Sequence, residues 1–302
     1  MADRTKIEWT DATWNPIVGC SVVSPGCTNC YAMRLAGTRL KHHPSRAGLT
    51  WNTKAGPVWT GDVRLVESAI AQPLRWRRPR HIFVCAHGDL FHPAVPDAWI
   101  DRVFAVMALC PQHTFQVLTK RPDRMRPYTF DNIGRVADAI MRLRSDKVPV
   151  GPLPHLEPGA RWWPLPNVWL GVSVEDQAWA DERIPVLLDT PAAVRFISAE
   201  PLLGPLDLRN WLIGREEHGI DWSRPVGQKS GACIGWTPPL DWVIVGGESG
   251  PGARPMHPDW ARSLRDQCAA AGVPFLFKQW GAWTVTYDRD AEDPDWRRCP
   301  TA

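Results

Sequence analysis

NVWLGVSVED, residues 167–176, decides the fold. Apolar residues run through small ones to the carboxylate of Glu175, which reads as a buried strand ending in a polar group. The same progression recurs in AVRFISAEPL (193–202), which reaches Glu200, and in DWVIVGGESG (241–250), which reaches Glu248. HIFVCAHGD (81–89), HTFQVLTKRP (113–122) and VPFLFKQWG (273–281) read as strands ending near Asp89, Lys120 and Lys278. Between these runs lie stretches with helical spacing: 95–110, 122–128, 131–144, 177–190 and 257–272, the last ending at Gly272, a C-terminal helix signal. Strands alternating with helices predict an α/β chain with a parallel sheet and crossovers, a TIM-like (β/α) barrel or partial barrel.

A parallel barrel gathers its strand ends on one face, where active sites sit. Lys120, Glu175, Glu200, Glu248 and Lys278 are therefore the candidate catalytic residues. Ser173, Ser198, Gly246 and Gly247 are small enough to leave a ligand cavity above the packed core. The competing reading makes these charges a structural ion-pair ring across the barrel mouth. Buried charges are costly unless used or paired, which favours an active face for the set as a whole.

Residues 6–14 read as a first strand, which delivers GCSVVSPGCTNCYA (19–32) to the same face. That loop carries Cys20, Cys27 and Cys30, with six and then two residues between them. Thiolates are strong ligands for soft or borderline metals, and a two-residue gap lets two of them reach one centre. Three thiolates make an incomplete set. Structural zinc takes four protein ligands, so a zinc site needs His42, His43 or another side chain as the fourth. An iron–sulfur cluster on three thiolates keeps one iron open. The loop reads as this second case, with a zinc-stabilised nucleic-acid-binding or structural protein as the alternative.

The composition sets outer bounds. The chain has 302 residues, 44% of them hydrophobic and 22% charged, which describes a soluble globular protein, and its net charge of +3 does not by itself argue for a DNA-coating one. No apolar run is long enough for a membrane span, and MADRTKIEWTD lacks the apolar core of a signal peptide. Eight cysteines without an export signal fit a reducing cytoplasm better than a disulfide framework. Cys110 and Cys268 read as core residues and Cys299 as part of a tail.

Residues 31–41 read as a short helix, 42–60 as a loop, DVRLVE (62–67) as a short strand and 68–76 as a helix. Two irregular insertions, about 145–166 and 213–240, interrupt a single barrel domain spanning 1–283, and 284–302 form a tail. RWRRPRH (75–81) and KRPDRMR (120–126) mix arginine with an aromatic or with lysine, as phosphate contacts do, although such runs are more often solvated helix ends and loops. His87, Asp89 and His92 do not form a defined ligand pattern and read as packing, capping or substrate contacts.

WTDATWNPIVGC, SPGCTNCYA, DLFHPAVP, HTFQVLTKRP, NVWLGVSVE, RFISAEPLLG, DWVIVGGESG and FKQWG together resemble the phage-associated three-Cys-motif family of unknown function, across residues 6–283. That family is similar to radical S-adenosylmethionine (SAM) enzymes. The resemblance implies a radical-SAM-type barrel and a four-iron four-sulfur (4Fe-4S) cluster on Cys20, Cys27 and Cys30. SAM would bind the open iron, flanked by Trp14, Asn15 and Tyr31. An electron would come from a small flavodoxin- or ferredoxin-type protein, and the substrate could be a nucleotide or nucleic acid. The chain departs from the usual radical-SAM pattern in its six-residue first gap, in Asn29 before the third cysteine, and in Gly246-Gly247-Glu248 on a late strand.

Overall fold

The computed structural model describes residue 5 and residues 7–145, 163–218, 234–237, 239–286 and 295–298. Seven strands form one sheet: β1 (Ala12–Trp14), β2 (His81–Val84), β3 (Thr114–Thr119), β4 (Val168–Ser173), β5 (Val194–Ala199), β6 (Trp242–Gly246) and β7 (Phe275–Gln279). Every neighbouring pair is parallel, and spatial order follows chain order. Parallel neighbours need crossovers, and helices over Asp97–Ala108 (α1), Pro122–Phe130 (α2), Ile133–Ser145 (α3), Gln177–Leu188 (α4) and Pro258–Ala271 (α5) lie in these connections. β1 and β7 are the two edges of the sheet, so it is a curled half-barrel, not a closed cylinder.

The pleat sorts each strand's residues between two cores. Ile82, Val84, Val117, Leu170, Val172, Ile197, Val243 and Val245 face outward and join the helices in the larger core. Phe83, Leu118, Trp169, Phe196, Trp242, Ile244 and Leu276 face inward, where Trp9 packs among them. The Trp9 ring lies 4.8 Å from Phe83, 6.5 Å from Phe196 and 6.3 Å from Trp242. This aromatic floor needs a missing side chain. A Cβ on Gly171 would stand 2.6 Å from the Phe196 ring, so glycine there makes room for the phenyl group.

Several local expectations are revised. The first strand is confined to Ala12–Trp14, because the chain before it turns and inserts Trp9 beneath the sheet. The expected loop 42–60 contains an antiparallel hairpin, Thr50–Thr53 with Gly56–Trp59. Arg64–Leu65 pairs with Ile17–Val18 beside the cysteine loop. The helix expected over 68–76 breaks into Glu67–Ile70 and a 3-10 turn at Pro73–Arg75, since proline lacks the N–H that would continue the first. Within the second insertion Arg215–His218 pairs antiparallel with Ile234–Thr237, and at the C-terminus Trp283–Thr286 pairs with Asp295–Arg298. Most of the first insertion, 146–162, lies outside the described residues, as do Cys233 and Cys299. Among the described residues no helix is long and apolar enough to cross a membrane.

Candidate functional site

Following the inward positions upward along each strand leads from the aromatic floor to the charges. β4 continues Trp169, Gly171, Ser173 to Glu175. β5 continues Phe196, Ser198 to Glu200, and β3 continues Gln116, Leu118 to Lys120. A cavity of about 360 Å³ opens at this end. Its walls include Lys120, Ser173, Ser198, Glu200, Gly247, Glu248 and Lys278, its depth reaches Trp9 and Phe83, and Cys20, Cys27, Cys30 and Tyr31 stand at its rim.

The charges are paired, and several pairs hold the cysteine loop. Glu175 is fully buried and accepts from Lys120 Nζ and Arg183 Nη1, each at 3.0 Å, and from the Gly26 amide at 3.3 Å. A Cβ on Gly26 would lie 3.1 Å from the Glu175 carboxyl carbon and 3.2 Å from Lys120 Nζ, so glycine lets the loop settle on this pair. Glu248 accepts from Arg254 at 2.5 Å and from Asn29 Nδ2 at 2.9 Å, and Arg254 also donates to the Pro25 carbonyl. Glu200 accepts from Lys278 Nζ at 2.6 Å and Gln279 Nε2 at 3.1 Å. Burial opposes charge on Glu175 and Glu248. Lys120, Ser24 and Arg183 outweigh it for Glu175, and Arg254 with Asn29 for Glu248, so both carboxyls are held below the usual carboxylate range.

Arg121 anchors the other end of the loop. Its guanidinium donates to Asp89 Oδ2 at 2.6 Å, to the Ser21 hydroxyl at 2.8 Å, to the Ser21 carbonyl at 3.1 Å and to Cys20 Sγ at 3.5 Å. His92 Nδ1 accepts from the Ala94 amide, which leaves the ring proton on Nε2 to donate to Ser21 Oγ at 2.9 Å.

The chain belongs to the family described as protein of unknown function DUF5131. The match spans residues 4–296. No curated protein and no solved structure matches the chain.

In this DUF5131 chain the cysteine loop, four of the five charged strand ends, both serines, Gly247 and Tyr31 come together at one cavity. Glu175 lies beneath it, as the counter-ion of Lys120 and the seat of the loop. Three expected ligand-binding positions have other roles. Trp14 is fully buried on the outward side of β1, with its indole N–H on the Ala69 carbonyl and its ring against Phe115, so it cannot flank a ligand in the cavity. Asn15 accepts from the His87 amide at 2.9 Å and braces the turn after β2. Gly246 makes room for Glu200, whose carboxyl carbon would lie 3.1 Å from an added Cβ. Gly247 lines the cavity but is required by close approach to Trp280, whose carbonyl oxygen would be 1.9 Å from a Cβ.

Asp89, His87 and His92 do not form a second metal site. Asp89 is occupied by Arg121, Thr119 and the Phe91 amide, and His87 faces Arg46 at 2.9 Å. Burial, then Arg46, pushes the His87 pKa down to about 4. Sequence reasoning missed Trp9, Asn29, Arg121 and Arg254. Arg121 is adjacent to Lys120, and the only signal for it was membership of a basic run.

The donor set suits a group that takes three thiolates. The three thiols share one loop and one cavity, while His42 and His43 are exposed and do not line it. Burial, then Asp89, pushes Cys20 up to about 12, and burial raises Cys30, so ligation must displace their protons. Among the described residues no three His, Cys, Asp or Glu side chains stand in a ligating group, so a group shared by the three thiols would have to draw the sulfurs together.

Proposed function

We propose that this protein is a radical SAM enzyme, with Cys20, Cys27 and Cys30 holding a 4Fe-4S cluster at the mouth of the half-barrel. The observation that carries the reading is the convergence of three thiols and the charged strand ends on one cavity, with no histidine among its described lining residues to complete a structural zinc site. With SAM bound and an electron from a flavodoxin- or ferredoxin-type donor, a cluster held by Cys20, Cys27 and Cys30 would supply radical chemistry able to abstract hydrogen.

This chain's residues bind, orient and exclude water. Glu175, Arg254, Asn29 and Arg121 fix the loop from both sides. The Lys278–Glu200 pair offers a cation to a carboxylate or phosphate and an anion to an ammonium or hydroxyl. Ser173 and Ser198 add hydroxyls that donate or accept. Trp9 and Phe83 close the depth of the cavity against water, which protects a reactive intermediate from side reactions.

Anaerobic reconstitution with iron and sulfide, followed by iron counting and optical and EPR spectra, tests the cluster. The expected result is four irons per chain and an EPR signal on reduction, both absent from the C20A/C27A/C30A variant. Release of 5′-deoxyadenosine from SAM by the reduced protein tests the reaction. A colourless protein that takes up no iron, or a triple variant with an unchanged signal, overturns the proposal.

A further inference from the structure

The charge of this chain is unevenly placed. Residues 16–66 hold six lysines and arginines against one acid, Asp62, while the whole chain is only +3, so the remainder is net acidic. This basic stretch is a compact annex. The short helix Tyr31–Gly37 and the Thr50–Trp59 hairpin share a small core of Val18, Ala32, Met33, Ala36, Leu49 and Trp59. Cys20 and Cys30 pack against that core, and Trp59 and Ala32 also line the cavity. Whatever binds the annex is held beside the cavity mouth.

Its cations are not neutralised. Arg34 donates to the Pro251 carbonyl, Arg64 to the Pro44 and Ala47 carbonyls, and buried Arg46 to His87 and Ser45. These partners carry no negative charge. Arg39, Lys41 and Lys54 are exposed, and none of the six forms an ion pair among the described residues. The hairpin adds an aromatic surface. Thr50 pairs with Trp59 on the buried side, whereas Trp51 pairs with Val58 on the other and remains 66% exposed, three residues from Lys54 at the turn.

We propose that the annex binds single-stranded nucleic acid, with Arg39, Lys41 and Lys54 on phosphates and Trp51 stacked on a base, and feeds a nucleotide to the cavity. A flat exposed indole among unpaired cations matches the alternating bases and phosphates of a single strand. An acidic protein would use the cations and leave the indole without a matching surface. The binding step does not depend on iron at the cysteines.

Fluorescence anisotropy of mixed-sequence single-stranded DNA and RNA 20-mers, titrated with iron-free protein over a salt series, tests this. Wild-type protein is expected to bind, with affinity falling as salt rises. K54A, K41A and R39A should each flatten the slope of log affinity against log salt by about 0.7. W51A should weaken binding roughly ten- to a hundredfold with the slope unchanged. R77A/R78A, in an exposed basic run at the opposite end of β2, should behave as wild type. All these side chains are exposed, so the variants should fold. Absence of binding at low salt, binding indifferent to W51A and K54A, or loss in R77A/R78A alone overturns the proposal. Failure of iron reconstitution with binding intact would remove the radical reading and leave this one standing.

Discussion

The lower and upper halves of the inner sheet wall are built by the same strands on the same face, yet from opposite chemistry. The lower half is an aromatic floor of Trp9, Phe83, Trp169, Phe196 and Trp242. The upper half carries Lys120, Glu175, Glu200, Glu248 and Lys278, joined in ion pairs. Burying apolar rings stabilises a fold directly, whereas a buried ion pair seldom does better than a hydrophobic pair of equal volume. The floor therefore stabilises the half-barrel from inside, alongside the larger core between the sheet and its helices. The mouth keeps its charges for binding and for seating the cysteine loop.

The sharpest way to break that contrast is at Glu175, the fully buried carboxylate of the mouth. E175Q strands Lys120 and Arg183 without an anion and should cost about 3–5 kcal/mol in urea unfolding; on the proposed cluster reading it should also lower iron uptake as the loop loosens. The same residue sets an acid limit. Its folded pKa is depressed, so its stabilisation is complete above the ordinary carboxylate range and fades as pH falls toward the folded value. Urea midpoints measured from neutral pH downward should show that loss in wild type and a smaller one in E175Q.

In the floor, W9A removes a ring packed on three others and should also cost about 3–5 kcal/mol. G171A drives a methyl into Phe196 and should cost about 1–3 kcal/mol in the same assay. The comparison is sharpened at the upper wall by the double variant K278M/E200L. It should leave stability within about 1 kcal/mol of wild type, or raise it, and on the proposed radical SAM reading it should also abolish 5′-deoxyadenosine release. The smallest effect belongs to the exposed Arg102–Glu67 pair, where E67Q should shift stability by less than about 1 kcal/mol.

Much of this arrangement is legible in the residues. The buried strands announce themselves as apolar runs, and a period of two along VWLGVSVE places Ser173 and Glu175 on one side. The hairpin at 50–59 was not legible, because its strands have no apolar alternation and Trp51 faces water. Nor could the sequence say which tryptophan serves the cavity. Trp14 and Trp9 sit in the same opening segment, and the pleat turns Trp14 outward while a turn before the strand carries Trp9 inside.

A family, an alternating α/β order, a three-cysteine loop and a series of charged strand ends are all readable along the chain. Those follow from local composition and spacing, which act along the chain. That the sheet stays open, that each charge at the mouth has a specific partner, and that Glu175 supports the loop instead of lining the cavity emerge only once the chain is folded. Those outcomes depend on which side chains meet across strands far apart in sequence, where the demand to pair buried charges and fill the interior selects one arrangement.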